Sequence, residues 1–257
     1  MSDDPAVDHL LAARGGAPGG LAPFPPHLAP ADAAGGYAIQ RRLAERLGAV
    51  PPAGFKVGAT GAAMRAYLGV HEPVGGFVPA AGLRAEFRLA EFRTPGVECE
   101  IAVRLAADLP PGGHARDAVA SAVGAVMAAV EVVDRRTDDF AAAGVPTLAA
   151  DQMSHGGGAL GPEVADWRGL DLAALHGRLW VNGALRGEGA GGELMGHPLE
   201  VLRWLAGSSL ARAFGGLRAG QVVFLGSVCP PVWLEGDAPR EVRVAFDGLG
   251  EAHARLH

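Results

Sequence analysis

At 257 residues, the chain is long enough to bury a sizeable core as one large domain or a domain with a smaller appendage. Apolar residues make up 49% and charged residues 19%, the balance of a compact protein and not of a disordered one. A net charge of −6 with no basic tract speaks against a nucleic-acid or membrane-surface partner, and no apolar run is long enough to span a membrane.

The N-terminus, Met1-Ser2-Asp3-Asp4, is acidic where a signal peptide would be basic, so a cytoplasmic protein is expected. Residues 2–14 predict a short helix with Val7, Leu10 and Leu11 on one side, closed by Gly15-Gly16. Gly15–Pro30 is rich in Gly and Pro and predicts an extended connector. A longer helix is predicted from Ala31 to Leu47, with Tyr37, Gln40, Leu43 and Leu47 at helical spacing and Gly48 as its stop. Pro51-Pro52 then leads into Gly54-Phe55-Lys56-Val57-Gly58, an apolar strand with one lysine. Lys56 is open to two readings: a stem packed on the sheet with its ammonium in water, or a cation aimed into an acidic site. A short helix over Ala62–Leu68 precedes the loop that carries His71, a residue expected at the surface.

Leu83–Leu89 and Gly96–Leu105 are expected to pair as strands. In the second, Val97, Cys99, Ile101, Val103 and Leu105 point one way while Glu98 and Glu100 point the other. Cys99 is thereby expected to pack as a small apolar group, and two cysteines are too few for a disulfide framework. Adjacent carboxylates on one strand face fit either a solvated face or a bound cation. A helix Arg116–Val126 leads to a second apolar run, Val126–Asp134, with Glu131 in its middle. A carboxylate in a core-like strand calls for a partner, either an arginine such as Arg135 or a hard divalent cation shared with Glu98 and Glu100. Residues 135–147 are expected to form a loop at the mouth of a site.

Asp151-Gln152-Met153-Ser154-His155 precedes Gly156-Gly157-Gly158, a glycine run without the context of a nucleotide loop and expected to pack closely beside the site. Arg178–Val181 and its successor predict a hairpin about Asn182-Gly183. His197-Pro198 opens a helix over Leu199–Ala206, with His197 a structural helix-end residue. Strands are expected at Gln221–Leu225, Val232–Leu234 and Glu241–Phe246. Many strands with a few helices, not strictly alternating, predict an α+β fold with a mixed or mainly antiparallel sheet.

In this order and spacing, several pieces resemble the 2-keto-4-pentenoate hydratase/4-oxalocrotonate decarboxylase branch of the fumarylacetoacetate hydrolase family. They are the Tyr37–Gln40 helix, Gly54–Gly58, Leu68-Gly69-Val70 with Pro73 and Gly76, Val97–Ile101, Val130–Asp134, Asp151 with Ser154, Gly196-His197-Pro198-Leu199, Leu217–Gly220 and Gly248–Gly250. The resemblance implies a mixed β-roll with a small helical N-terminal part, divided as a cap over residues 1–82 and a catalytic domain over residues 83–257. It implies a Mg²⁺- or Mn²⁺-dependent enzyme, expected to be a homo-oligomer, acting on small 2-hydroxy-2,4-dienoates or related 2-keto acids. Glu98, Glu100 and Glu131 fall on the family's metal ligands, Lys56 on its active-site lysine, and Asp151 and Ser154 on positions near the substrate. Ser227, at the Gly226-Ser227 strand end, is expected to contact substrate as well.

The implied chemistry is Lewis-acid polarisation of a 2-oxo acid, with Lys56 stabilising the enolate charge or moving a proton. Three departures from the family pattern stand out. Val74 follows Pro73 where hydratases usually carry an acid, Gln152 stands where Asn is usual, and His155 replaces a small residue. The Gly226-Ser227 end and compact loops favour a hydratase. The alternatives are a 4-oxalocrotonate-type decarboxylase, an acylpyruvate C–C hydrolase with His71 or His155 as base, and a non-catalytic partner subunit.

Overall fold

Two antiparallel-rich sheets and seven helices make up residues 4–257, which are the residues that the structure, a computed structural model, describes. Met1-Ser2-Asp3, and with them the expected start of the first helix, lie outside the described residues. The first sheet runs in the order β2 (Val74–Val78), β1 (Gly54–Gly58), β9 (Val222–Ser227), β4 (Pro95–Leu105), β5 (Val123–Asp134) and β6 (His155–Leu160), with β10 (Val232–Trp233) also on β4. Only β1 and β9 are parallel, so the sheet is mixed. The second sheet orders β3 (Glu86–Phe87), β12 (Gly250–Leu256), β11 (Arg240–Phe246), β7 (His176–Val181) and β8 (Ala184–Ala190). This is the expected α+β fold.

The first sheet is rolled. Lys56 on β1 and Glu131 on β5 are three strand spacings apart, about 14 Å in a flat sheet. Their side chains nevertheless meet at 3.2 Å. A backbone bridge from Leu83, just beyond β2, to Gly158 on β6 ties the two margins of the sheet together. Strand alternation then divides the residues. Val97, Cys99, Ile101 and Val103 of β4 join the main core, fully buried. The opposite set faces inward: Val78, Ala102, Met127, Ala129, Val222 and Phe224 form a separate apolar plug at one end. Lys56, Glu98, Glu100 and Glu131 lie on that same inward face, displaced along the strands. Gly157 and Gly158 let β6 lie against the rings of Phe87 and Phe224, the close packing expected of the glycine run.

Helix α2 (Ala33–Arg46), capped by the Asp32 side chain on Gly35 N, braces β2 through two buried polar residues. Gln40 Nε2 donates to Gly75 O and Ala149 O, Gln40 Oε1 accepts from Phe77 N, and Tyr37 Oη accepts from Gly75 N. Helix α3 (Ala62–Leu68), the Asn182-Gly183 hairpin and the helix α6 (Pro198–Gly207) match expectation. His197 is the structural residue expected, its Nδ1 accepting from Leu199 N at the start of α6.

Other expectations are corrected. Leu83–Leu89 does not pair with Gly96–Leu105: its two strand residues pair with β12 in the second sheet. The helix expected over Arg116–Val126, α4 (Arg116–Ala122), stops short because the β-branched and apolar run from Val123 continues as one long buried strand. Residues 135–147 are not all loop. A helix α5 (Phe140–Ala150) begins on an Asp139 cap and is broken at Gly144 (φ 74°) ahead of Pro146, two helix breakers that masked it. The helix α7 (Ser209–Phe214) and strand β12 were not expected. β1 and β2, on the N-terminal side of the proposed 82/83 division, are hydrogen-bonded into the sheet that carries the acids.

Gly226 closes β9 with φ 102°, and a Cβ there would lie 2.2 Å from Thr60 Oγ1. Gly226→Ala is expected to lower stability by about 1–3 kcal/mol through this clash and the unfavourable φ, read as a fall in the denaturation midpoint at unchanged m-value.

Candidate active site

Glu98 and Glu131 are direct cross-strand partners on β4 and β5, and Glu100 is two residues along from Glu98 on the same face. One oxygen from each lies within 4.8 Å of the others. Glu100 and Glu131 are fully buried, whereas Glu98 is partly exposed. Glu100 Oε2 accepts from Gly226 N (2.8 Å), leaving Oε1 without a partner. Glu131 Oε1 is bonded to Lys56 Nζ (3.2 Å) and His155 Nδ1 (2.8 Å), leaving Oε2 without a partner. Lys56 Nζ also donates to Met153 O (3.1 Å).

Burial pushes the Glu98 carboxyl up to about 8, helped by Glu131 and opposed by Lys56. Burial and the two neighbouring acids push Glu100 well above the carboxylate range. Burial also acts to raise Glu131, but the Lys56 charge and the His155 bond outweigh it and hold Glu131 down to about 2. Lys56, though buried, is held above its usual value by the three acids. Burial moves His155 below its usual value, towards the neutral imidazole. Three carboxylates against one ammonium leave a formal excess of two negative charges when all are ionised. The unpaired buried oxygens and that excess fit a hard divalent cation.

The turn between α5 and β6 supplies the partners of Glu131. Gln152, Met153 and Ser154 have φ of 58°, 47° and 63°, three consecutive non-glycine residues in the left-handed region. Each costs of order 1–3 kcal/mol and persists only where the surroundings enforce it. Arg136, buried at the end of β5, does so. Its Nη2 donates to Asp151 O and His155 O, the two ends of the turn, and its Nε to the Asp151 carboxylate. Arg14 from the N-terminal segment binds the same carboxylate at 3.0 Å. Gln152 Nε2 donates to Phe77 O (2.8 Å), tying the turn to β2.

Of the expected site residues, Lys56, Glu98, Glu100 and Glu131 come together at one point. Ser154 sits in the adjoining turn, buried, its Oγ without a partner. Asp151 has another part: both its oxygens are taken up by arginines, so it anchors the turn and is not a free proton acceptor. Ser227 Oγ lies between Cys99 N, from which it accepts, and Cys229 O, to which it donates, an assignment to the strand end and not to a ligand. Arg135 stacks on the Trp233 ring at 5.0 Å and does not pair with Glu131. His71 lines a groove of about 760 Å³ with Tyr37, Trp204 and Arg212, apart from the acids. Arg136 was not foreseen: of the two arginines that follow the buried Val130–Asp134 run, the sequence does not tell which stacks on a ring and which enters a buried ion pair. His155, expected as a departure from the family pattern and as a candidate base for the hydrolase alternative, is instead bonded to Glu131.

The class of protein that this fold defines is met in comparisons with known proteins. Residues 78–257 match the family described as "Fumarylacetoacetate (FAA) hydrolase C-terminal", and the chain belongs to that family. A 2-keto-4-pentenoate hydratase of Burkholderia vietnamiensis is 32% identical, over 99% of this chain and 98% of its own. A 4-oxalocrotonate decarboxylase of Pseudomonas putida is 33% identical, over 86% of this chain and 82% of its own. Among solved structures, the 4-oxalocrotonate decarboxylase of Pseudomonas putida G7 complexed with magnesium and adipate superposes with a TM-score of 0.78 at 27% identity, covering 88% of this chain and 86% of that one. Its complex with calcium and acetate superposes equally well. Among the described residues, no helix is long and apolar enough to cross a membrane.

The electrostatics give a pH dependence in metal-free buffer. Glu98 ionises near 4.5 in the unfolded chain and near 8 in the fold, so its contribution to stability declines as pH rises between those values. Glu131 has the opposite sign: its contribution is full above about 4.5 and is lost as pH falls towards 2. With chelator present, the melting temperature is expected to fall between pH 6 and pH 8. A flat or rising profile over that interval would show that the three acids do not crowd one another as described.

Proposed function

We propose that the chain is a divalent-metal-dependent lyase that hydrates a 2-hydroxy-2,4-dienoate of the 2-keto-4-pentenoate type to a 4-hydroxy-2-keto acid. The observation that carries the reading is the meeting of three carboxylates, two of them fully buried, and one buried lysine inside the roll, with two oxygens left unpaired. Glu98, Glu100 and Glu131 would hold Mg²⁺ or Mn²⁺, and the relatives' printed names and their magnesium and calcium complexes support a divalent ion and a small organic acid. When bound, the cation supplies Lewis-acid polarisation of a 2-oxo acid.

The chain's own residues do the rest. Lys56 brings a positive charge to the edge of the carboxylate cluster, where negative charge on the substrate's 2-oxygen is stabilised as it develops. Its three donors are directed by Glu131 Oε1 and Met153 O, which leaves one donor for a ligand. Ser154 offers a buried hydroxyl with no protein partner, suited to orienting a substrate oxygen. Asp151 acts at one remove, by holding the turn. The protein is expected to work in the cytoplasm as a homo-oligomer.

A decarboxylase acting on a 4-oxalocrotonate-type acid is the second reading, and Val74 favours it. Strand alternation places Val74 on the same face as Gly76 and Lys56, opposite Gly58, and its side chain is fully buried. An apolar side chain there neither accepts nor delivers a proton for water addition. Incubation with fresh 2-hydroxypenta-2,4-dienoate and Mg²⁺ is expected to remove the dienoate absorbance without release of CO₂. Release of CO₂ from 4-oxalocrotonate, with dienoate accumulating, would replace the hydratase by the decarboxylase.

Glu100→Ala removes one of the three ligands and also relieves repulsion among the rest. The variant is expected to lose metal-dependent turnover by at least about 100-fold while its metal-free melting temperature holds or rises, because a buried, raised carboxyl has gone. Full turnover at low Mg²⁺ would remove Glu100 from the ligand set.

A further inference from the structure

His155 has no part in the chemistry above, yet it is placed with care. It opens β6 at an irregularity in the pairing with β5, where Glu131 faces Gly158 but Val133 faces His155. Such an irregularity re-aims a side chain. Both ends of the preceding turn are held by Arg136, and the backbone of the turn is left-handed at three residues. The product of that arrangement is a buried imidazole with Nδ1 2.8 Å from Glu131 Oε1, its ring centroid 6.4 Å from that of Phe224. Nε2 is buried and has no partner, as suits a neutral ring that donates from Nδ1. The mutually close donor atoms belong to the three glutamates, so His155 stands behind the cluster and not in it.

We propose that His155 is a positioning residue of the cation site: with Lys56 it holds Glu131 Oε1, and so keeps Oε2 turned towards Glu98 and Glu100. The proposal rests on the reading of the three glutamates as cation ligands. The terminal torsion of a glutamate is soft, with two equivalent oxygens. Lys56 alone, a compact ammonium on a flexible stem, fixes no plane for the carboxylate. A second donor on a rigid ring, carried by β6 on the other flank of β5, does. Partners of this kind behind a ligand typically change metal affinity by about 10–100-fold when removed.

The test is Mn²⁺ binding to the whole protein, measured by calorimetry and by the electron paramagnetic resonance signal of free Mn²⁺, alongside melting temperatures in chelator. His155→Phe fills the space without a donor. It is expected to weaken Mn²⁺ binding by about 10–100-fold. His155→Asn carries an amide donor near the place of Nδ1 and is expected to bind within about threefold of the wild type. A purely structural role would lower both melting temperatures and leave both affinities alone. Wild-type affinity in a folded His155→Phe overturns the proposal. So does an Asn variant that, once folded, binds as weakly as a folded Phe variant, since the donor would then not matter. If the wild type itself binds no Mn²⁺, the ligand reading of the glutamates falls first and the proposal with it.

Discussion

One buried lysine faces three carboxylates, two of them fully buried, and the rest of the site is arranged around that imbalance. Like charges this close cannot all be ionised in a dry site, and a single ammonium can offset only one of them. Glu131 is the one chosen. Lys56 and His155 both bond to its Oε1, and it stays ionised while burial and its neighbours push Glu98 and Glu100 the other way. The site is therefore asymmetric: one carboxylate fixed and charged, two others whose charge is held back by burial and by their neighbours.

Two structural devices make this arrangement. The first is the roll of the sheet, which brings β1 to β5 across β9 and β4 and fills the far end with an apolar plug. The second is the Asp151–His155 turn, whose left-handed backbone is held by Arg136 and by Arg14 through Asp151. The turn delivers Met153 O to Lys56 and the imidazole to Glu131 in a single step. Arg136 and Asp151 form a buried ion pair with no contact to the acids of the cluster, and its work is geometric.

The acid-bearing strands were legible because alternation is a local signal: Glu98 and Glu100 opposite Val97, Cys99 and Ile101 can be read without any knowledge of neighbours. Lys56 was legible as an oddity, a charge among apolar residues, although its direction was not. What stayed hidden depended on pairing between distant segments. Leu83–Leu89 carries the composition of a strand, but nothing in it says that its partner is β12 and not β4. Asp151 and Ser227 were recognisable polar residues at a site, but which groups satisfy them is settled by Arg14, Arg136 and the backbone of Cys99 and Cys229. Helix α5 was obscured by its own Gly144 and Pro146, whose local preferences are overridden by packing on α2.

The curl that brings Lys56 to Glu131 has a consequence for assembly. The two residues are 75 positions apart in sequence, and one of the two strands between theirs in the sheet, β9, is made from residues more than 90 positions further on. The β4–β5 pair brings the three carboxylates together, but Lys56 joins them only when β1 and β9 are in place, and that closure carries a high loop-closure entropy. A cation that recognises the complete cluster and not the open chain would act as a latch on the finished topology, adding kinetic and thermodynamic weight to the closed roll alone.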